Sequence, residues 1–292
     1  MRLIAILFTS LPLLAQLSVE QLWEQRFQKD VKDYAEKLDG VVGLAAIDLS
    51  TGHTLCFQCD VQFPTASSIK IPILIGMFRA MRNGEFKIED KLTLDKKDMA
   101  GGSGHLNTTI EKGPLTLTVR ELMTAMIETS DNTATNRCIL MAGMERVNSI
   151  LDEFGLREIR LQRVMMDIDA ALADRENIAT PREMARLVEM LYRNAAAPAE
   201  DCKAMFDIMR LVKGGMNKAL PAGVDIASKT GGITGVKNQV GIIYLKNRPF
   251  VLSIYGTYLG DPKLDPVEDL TRVAFRYFER LSHANKYGHL AR

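Results

Sequence analysis

The feature that most constrains this fold is a hydrophobic period that changes twice along the chain. Val41 to Leu49 and His53 to Phe57 read as strands, joined by a turn at Ser50-Thr51-Gly52. From Thr65 to about Arg210 nearly every apolar run has helical period instead. Strands return after Pro221, at Asp225 to Lys229, Gln239 to Leu245 and Phe250 to Thr257. Helices flank the whole: Val19 to Leu38, closed by Asp39-Gly40, and an amphipathic run from about Pro266 to Leu281. A strand block split by a helical block predicts an α/β (α+β) chain of two lobes. One antiparallel sheet, flanked by helices, is built from both chain ends, and an all-α lobe is inserted. The expected division assigns 16–64 and 211–292 to the α/β lobe and 65–210 to the all-α lobe. A cleft between the two is the place to expect a ligand.

Local signals fix several helix ends. Thr118-Val119-Arg120-Glu121 is a capping box, and Thr180-Pro181-Arg182-Glu183 another, with proline at the first helical position. Gly155 closes a helix that begins near Glu145.

Composition narrows the function classes. The 292 residues carry 37 Lys+Arg against 36 Asp+Glu, a net charge of +1, so no bulk electrostatic argument favours nucleic acid or an anionic membrane. Met1-Arg2 followed by apolar stretches from Leu3 to Phe8 and Leu11 to Ala15 predicts a secretory signal peptide over residues 1–15, hence a secreted or periplasmic mature protein with no stable membrane insertion. The four cysteines are Cys56, Cys59, Cys138 and Cys202. Cys56-Phe57-Gln58-Cys59 has redox or metal spacing, but no second pair and no clustered histidines support zinc. Placed in an apparent strand, its thiols are expected on opposite faces or far apart, and the pairing stays open between small apolar side chains and one disulfide. No metal or other cofactor is implied.

Three short motifs carry the chemistry, in this order: Ser67-Ser68-Ile69-Lys70, Ser130-Asp131-Asn132 and Lys229-Thr230-Gly231. All three in this order should arise by chance in well under about one chain in a hundred. A serine hydroxyl is a poor nucleophile without a base. Lys70 is three residues from Ser67, on one helix face, and can act as a base only if its pKa falls. Burial and a second cation, Lys229, would both lower it. Ser130 can pass a proton onward, Asn132 offers an amide to a substrate amide, and Asp131 is expected to brace its loop. Lys229 and Thr230 suit a substrate carboxylate, and Gly231 and Gly232 allow close approach to the strand.

This motif set resembles the penicillin-recognising serine hydrolases, most closely the class A β-lactamases, from about Val19 to Leu281. The resemblance implies an α/β lobe beside an all-α lobe. It also implies Ser67, Lys70 and Ser130 as catalytic, and Asn132, Lys229, Thr230, Gly231 and Gly232 as substrate-binding. The N–H groups of Ser67 and Gly232 would form the oxyanion hole.

The sequence departs from that family in one loop. Class A enzymes carry E-x-x-L-N before the Thr-Pro helix, and its glutamate activates the water that releases the acyl-enzyme. Arg163-Val164-Met165-Met166-Asp167 stands here instead. With Arg163 matched to the family's arginine, the glutamate position falls on Met165. Asp167, Asp169 and Glu176 are the candidate substitutes, Asp167 first. Glu176-Asn177 also reads as the loop's structural anchor. No arginine follows K-T-G on the next strand, where Lys237 is the candidate replacement. The leading expectation is a secreted, monomeric serine β-lactamase acting on a small β-lactam. The alternatives are an esterase, amidase or D,D-peptidase on the same scaffold, or a penicillin-binding protein that acylates without turnover.

Overall fold

The structure, a computed structural model, describes residues 17–290, so the expected leader at 1–15 lies outside the described residues. The helix Val19–Ala35 opens on a complete capping box, with Ser18 and Gln21 exchanging side-chain and backbone bonds. Then come β1 (Val41–Asp48), β2 (Thr54–Phe57) and the two-residue β3 (Phe63–Pro64). A single 3₁₀ turn, Ala66–Ile69, leads into the helix Lys70–Arg82. β4 (Lys91–Leu94) and β5 (Leu115–Thr118) form an antiparallel ribbon. The helices Val119–Glu128, Asn132–Ala142 and Met144–Glu153 follow. β6 (Ile178–Ala179) precedes the helix Pro181–Tyr192. After the helix Ala199–Met209 come β7 (Ile226–Ile233), β8 (Val236–Ile243) and β9 (Phe250–Thr257), then the helix Pro266–His283.

The five long strands form one antiparallel sheet in the order β2-β1-β9-β8-β7, so both chain ends do build one sheet. Period-two alternation divides its side chains between two cores. Val42, Leu44 and Ala46 of β1 and Leu252 and Ile254 of β9 join one core with the first and last helices. Ala45, Ile47, Val251 and Tyr255 join the other, which continues into the helical block. Because both faces are covered, β1 carries no polar side chain from Val41 to Ile47. The helix Lys70–Arg82 is the axis of the helical block: every residue from Lys70 to Ala80 except Arg79 is buried, as its all-round apolar sequence requires.

Three local expectations are corrected. Residues 65–210 are not purely helical: they contain the β4–β5 ribbon and β6, and Pro181–Tyr192 packs on β1, β8 and β9 of the sheet. Cys56 and Cys59 are neither apart nor on opposite faces. β2 ends at Phe57, Gln58 turns the chain with φ 47°, and the two cysteines form a disulfide with Cα atoms 5.3 Å apart. Cys138 and Cys202 are free and buried. The Thr180 box forms only on one side. Thr180 accepts from the Glu183 N–H, while the Glu183 carboxylate turns away to accept N–H bonds from Arg157, Glu158 and Ile159.

Candidate active site

Ser67 stands in the 3₁₀ turn that precedes the buried helix, where residues three apart eclipse and Ser67 and Lys70 share a face. The turn is held from several sides. Thr65 donates from its N–H (2.8 Å) and its hydroxyl (2.9 Å) to the Asn177 carbonyl. Ser68 Oγ lies 2.7 Å from the Tyr255 hydroxyl, and Asn238 donates to the Pro64 carbonyl at 2.8 Å. β7, the open edge of the sheet, runs directly against the turn. A Cβ on Gly231 would stand 2.5 Å from the Thr65 carbonyl oxygen, 3.1 Å from Ser68 N and 3.3 Å from Ser67 N. Only glycine lets the strand and the serine turn come this close. Gly232, next along the edge, is exposed, and a Cβ there would meet nothing nearer than 3.7 Å.

Two lysines converge on one hydroxyl. Lys70 Nζ lies 2.7 Å from the Ser130 carbonyl, 3.0 Å from Ser130 Oγ and 3.0 Å from Asn132 Oδ1. Lys229 Nζ lies 3.2 Å from the same Ser130 Oγ, 3.1 Å from the Thr230 carbonyl and 3.4 Å from Thr230 Oγ1. Both lysines are 0% exposed. Burial pushes the Lys70 ammonium well below its ordinary pKa, and the Lys229 cation pushes it further down. Burial alone brings Lys229 down to about 7. The lowered Lys70 pKa that base chemistry needs is therefore built from the two causes the sequence suggested.

The Ser130 loop is fixed by backbone and carboxylate together. Ser130 has φ 57°, and Asp131 caps the helix Asn132–Ala142 through the Ala134 N–H at 2.9 Å. The second Asp131 oxygen accepts from the His105 and Leu106 N–H groups at 2.8 and 2.9 Å. Asp131 thus braces two loops and has no oxygen left for reaction. Asn132 donates to the Gly101 carbonyl at 2.9 Å while accepting from Lys70.

Of the three carboxylates considered as substitutes, two are engaged elsewhere and the third is exposed. Glu176 pairs with Arg163, with Nε–Oε1 3.0 Å and Nη2–Oε2 2.9 Å, closing the base of the loop. Asp167 caps the short helix Ile168–Leu172 through the Ala170 N–H at 3.0 Å. Asp169 is exposed. Among the described residues, no hydrogen bond joins any of the three to Ser67, Lys70 or Ser130. Lys237 is also spent: its Nζ donates to the Pro262 and Leu264 carbonyls at 2.8 and 2.6 Å.

Two asparagines matter more than the sequence alone suggested. Asn136 clamps Met165 from both sides, accepting its N–H at 2.7 Å and donating to its carbonyl at 3.1 Å. Asn177 is buried; its side chain accepts from the Gln162 and Arg163 N–H groups and donates to the Arg163 carbonyl. The available signal for Asn136 was its place one helical turn after Asn132.

Comparison with known proteins agrees with this geometry. The β-lactamase enzyme family matches residues 26–278. β-Lactamase SME-1 of Serratia marcescens is 28% identical over 241 residues, covering 78% of this chain and 80% of that protein. The crystal structure of a β-lactamase from Sphaerobacter thermophilus superposes with TM-score 0.78 at 32% identity, covering 86% of this chain and 96% of that one. The structure of PBP-A superposes with TM-score 0.79 at 26% identity over 87% of this chain and 96% of its own, and a mutant of PBP-A is known as an acyl-enzyme complex with penicillin G. With its three motifs gathered around the partly buried Ser130 hydroxyl and its sheet and helices in the class A arrangement, this chain belongs to the β-lactamase enzyme family and is a β-lactamase-type serine hydrolase.

Proposed function

We propose that the protein opens the β-lactam ring by acyl transfer to Ser67 and releases the product slowly. The observation that carries the first half is the convergence of two dry lysines on Ser130 Oγ. Neutral Lys70 takes the Ser67 hydroxyl proton as Oγ attacks the lactam carbonyl carbon. The oxyanion is received by the N–H groups of Ser67 and Gly232. As the ring C–N bond breaks, Ser130 gives its proton to the leaving nitrogen and is replenished from Lys70. Lys229 and Thr230 hold the substrate carboxylate, and Asn132 meets its side-chain amide. Slow release rests on Met165. Asn136 clamps the Met165 backbone where the family's activating glutamate is expected, and the buried thioether there cannot take a proton from water.

The same reading covers a penicillin-binding role, in which the acyl-enzyme is the lasting state; the similarity to PBP-A favours it. Export to an oxidising compartment is supported by the leader-like Met1 to Ala15 and by the Cys56–Cys59 disulfide. The test is time-resolved intact-mass spectrometry after adding penicillin G to stoichiometric protein. The expected result is a persistent adduct of one penicillin mass on Ser67, absent in Ser67→Ala. Neither adduct nor hydrolysis would overturn the acyl-transfer reading. Rapid multiple turnover would overturn slow release alone.

A further inference from the structure

The Cys56–Cys59 disulfide takes no part in the chemistry at Ser67, and its surroundings are asymmetric. Cys56 is partly exposed at the end of β2, whereas Cys59 is 0% exposed. The Arg182 guanidinium reaches Cys56, with Nη2 3.4 Å from Sγ. The Asp60 carboxylate lies 3.7 Å from Cys59 Sγ and within 4.8 Å of Cys56 Sγ as well. Arg182 also binds Asp60, with Nη2–Oδ2 2.8 Å, and its backbone N–H holds the Cys59 carbonyl at 3.0 Å. The sulfur that an external thiol can reach is therefore Cys56, which also has the Arg182 guanidinium of the helix Pro181–Tyr192 against it, whereas Cys59 is enclosed.

We propose that Cys56–Cys59 is a thiol-exchange site, in which Cys56 exchanges with external low-molecular-weight thiols and Cys59 is the resolving sulfur. In the first step an external thiolate forms a bond to Cys56 Sγ. The Cys56–Cys59 bond breaks, and its electron pair goes to Cys59 Sγ, which takes up a proton. A second thiolate then attacks the external sulfur of the mixed disulfide, and Cys56 leaves as a thiolate facing Arg182. In balance, two thiols become one disulfide and the protein pair gains two electrons and two hydrogens. In the reverse direction, the Cys59 thiolate attacks Cys56 of the mixed disulfide and expels the external thiol.

The fold around the pair does not depend on it. β2 stays registered on β1 from Thr54 to Phe57. Downstream, Phe63–Pro64 pairs with Ile178–Ala179, and Thr65 is tied to Asn177. Exchange is therefore available to the folded protein.

The test uses the full chain with reduced glutathione as the probe at pH 7.5, with acid quench, alkylation and peptide mapping. Wild-type protein is expected to be reduced while its circular dichroism stays native. With oxidised glutathione as the probe, Cys59→Ser should gain a glutathione mixed disulfide on Cys56 with release of one reduced glutathione, and Cys56→Ser should gain none on Cys59. In the Cys59→Ser background, Arg182→Met should slow iodoacetamide alkylation of Cys56 at pH 7 by at least about fivefold. A wild-type disulfide that reacts only after denaturation would overturn the proposal. So would a Cys59 that labels as fast as Cys56.

Discussion

Two adjacent glycines make opposite predictions. In Gly231→Ala the new methyl would stand 2.5 Å from the Thr65 carbonyl oxygen. Carbon and carbonyl oxygen approach each other at about 3.3 Å at the closest, so β7 and the serine turn must separate by roughly 0.8 Å. The contact is with backbone on both sides, and Thr65 is pinned to Asn177, so no flexible side chain can absorb the shift. That separation displaces the Ser67 and Gly232 N–H groups relative to each other and moves Lys229 relative to Ser130. A misplacement near 1 Å at reacting groups costs about 100-fold in rate, or roughly 2.7 kcal/mol. Overpacking adds about 1–3 kcal/mol of destabilisation. In Gly232→Ala the nearest atom is 3.7 Å away, an ordinary contact, and the residue's N–H remains. Second-order acylation rate constants with a chromogenic cephalosporin, alongside thermal melts, measure both effects. The expected result is an acylation rate down about 100-fold with a lowered melting temperature for Gly231→Ala, and a rate within about threefold of the parent for Gly232→Ala. A Gly231→Ala protein that acylates at the parent rate, or an equally damaged Gly232→Ala, would refute the claim that the closeness of strand and turn sets the site.

Met165→Glu puts a carboxylate on a backbone position already fixed by Asn136, and general-base help is worth about 10²–10⁴-fold. The adduct half-life in intact-mass traces should fall by at least about 100-fold, and an unchanged half-life in the folded variant would count against a water-activating role for that position. The pH profile of acylation should have two limbs: it rises as Lys70 loses its proton, because only the neutral amine is a base, and it falls above about 7 as Lys229 loses the charge that holds the substrate carboxylate. Lys229→Arg keeps its charge and should remove the alkaline limb; if that limb persists, it belongs to another group.

What the sequence made legible was whatever a short local pattern can encode. The three motifs located Ser67, Lys70, Ser130, Asn132 and Lys229, and the change of period located both halves of the sheet, because alternation and helical spacing are local consequences of burial. The two thiols were expected on opposite faces or far apart because Cys59 was read as part of the strand, whereas Gln58 at φ 47° turns the chain just after Phe57 and brings Cys59 back to Cys56. The two-residue pair β3–β6 left no periodic trace at all. Asn136 escaped notice because its work is to satisfy backbone groups of a distant loop, which no spacing announces, whereas Asn177 holds the loop as the Glu176-Asn177 anchor reading expected. Glu183 shows the limit of a correct motif: its carboxylate found three N–H donors on another segment and left the capping box half made.

The site's charge balance connects folding to substrate choice. Two ammonium groups are buried around Ser130, and the nearest buried carboxylate, Asp131, already accepts three N–H bonds. Burying unpaired cations is unfavourable, and the protein meets that cost by letting the lysines lose protons. A proton shed by Lys70 is what makes it a base. A proton kept by Lys229 is what attracts a carboxylate. Under the proposed function, the carboxylate of an anionic ligand would bring a counter-charge to Lys229 and Thr230. Such a ligand raises the Lys229 pKa by its own field and so strengthens the charge that binds it. Burial and the neighbouring Lys229 cation continue to disfavour the charged form of Lys70. Under the proposed function, preference for an anionic acyl donor and activation of Ser67 would share one physical origin, the burial of two lysines around Ser130 with Asp131 as the nearest buried carboxylate.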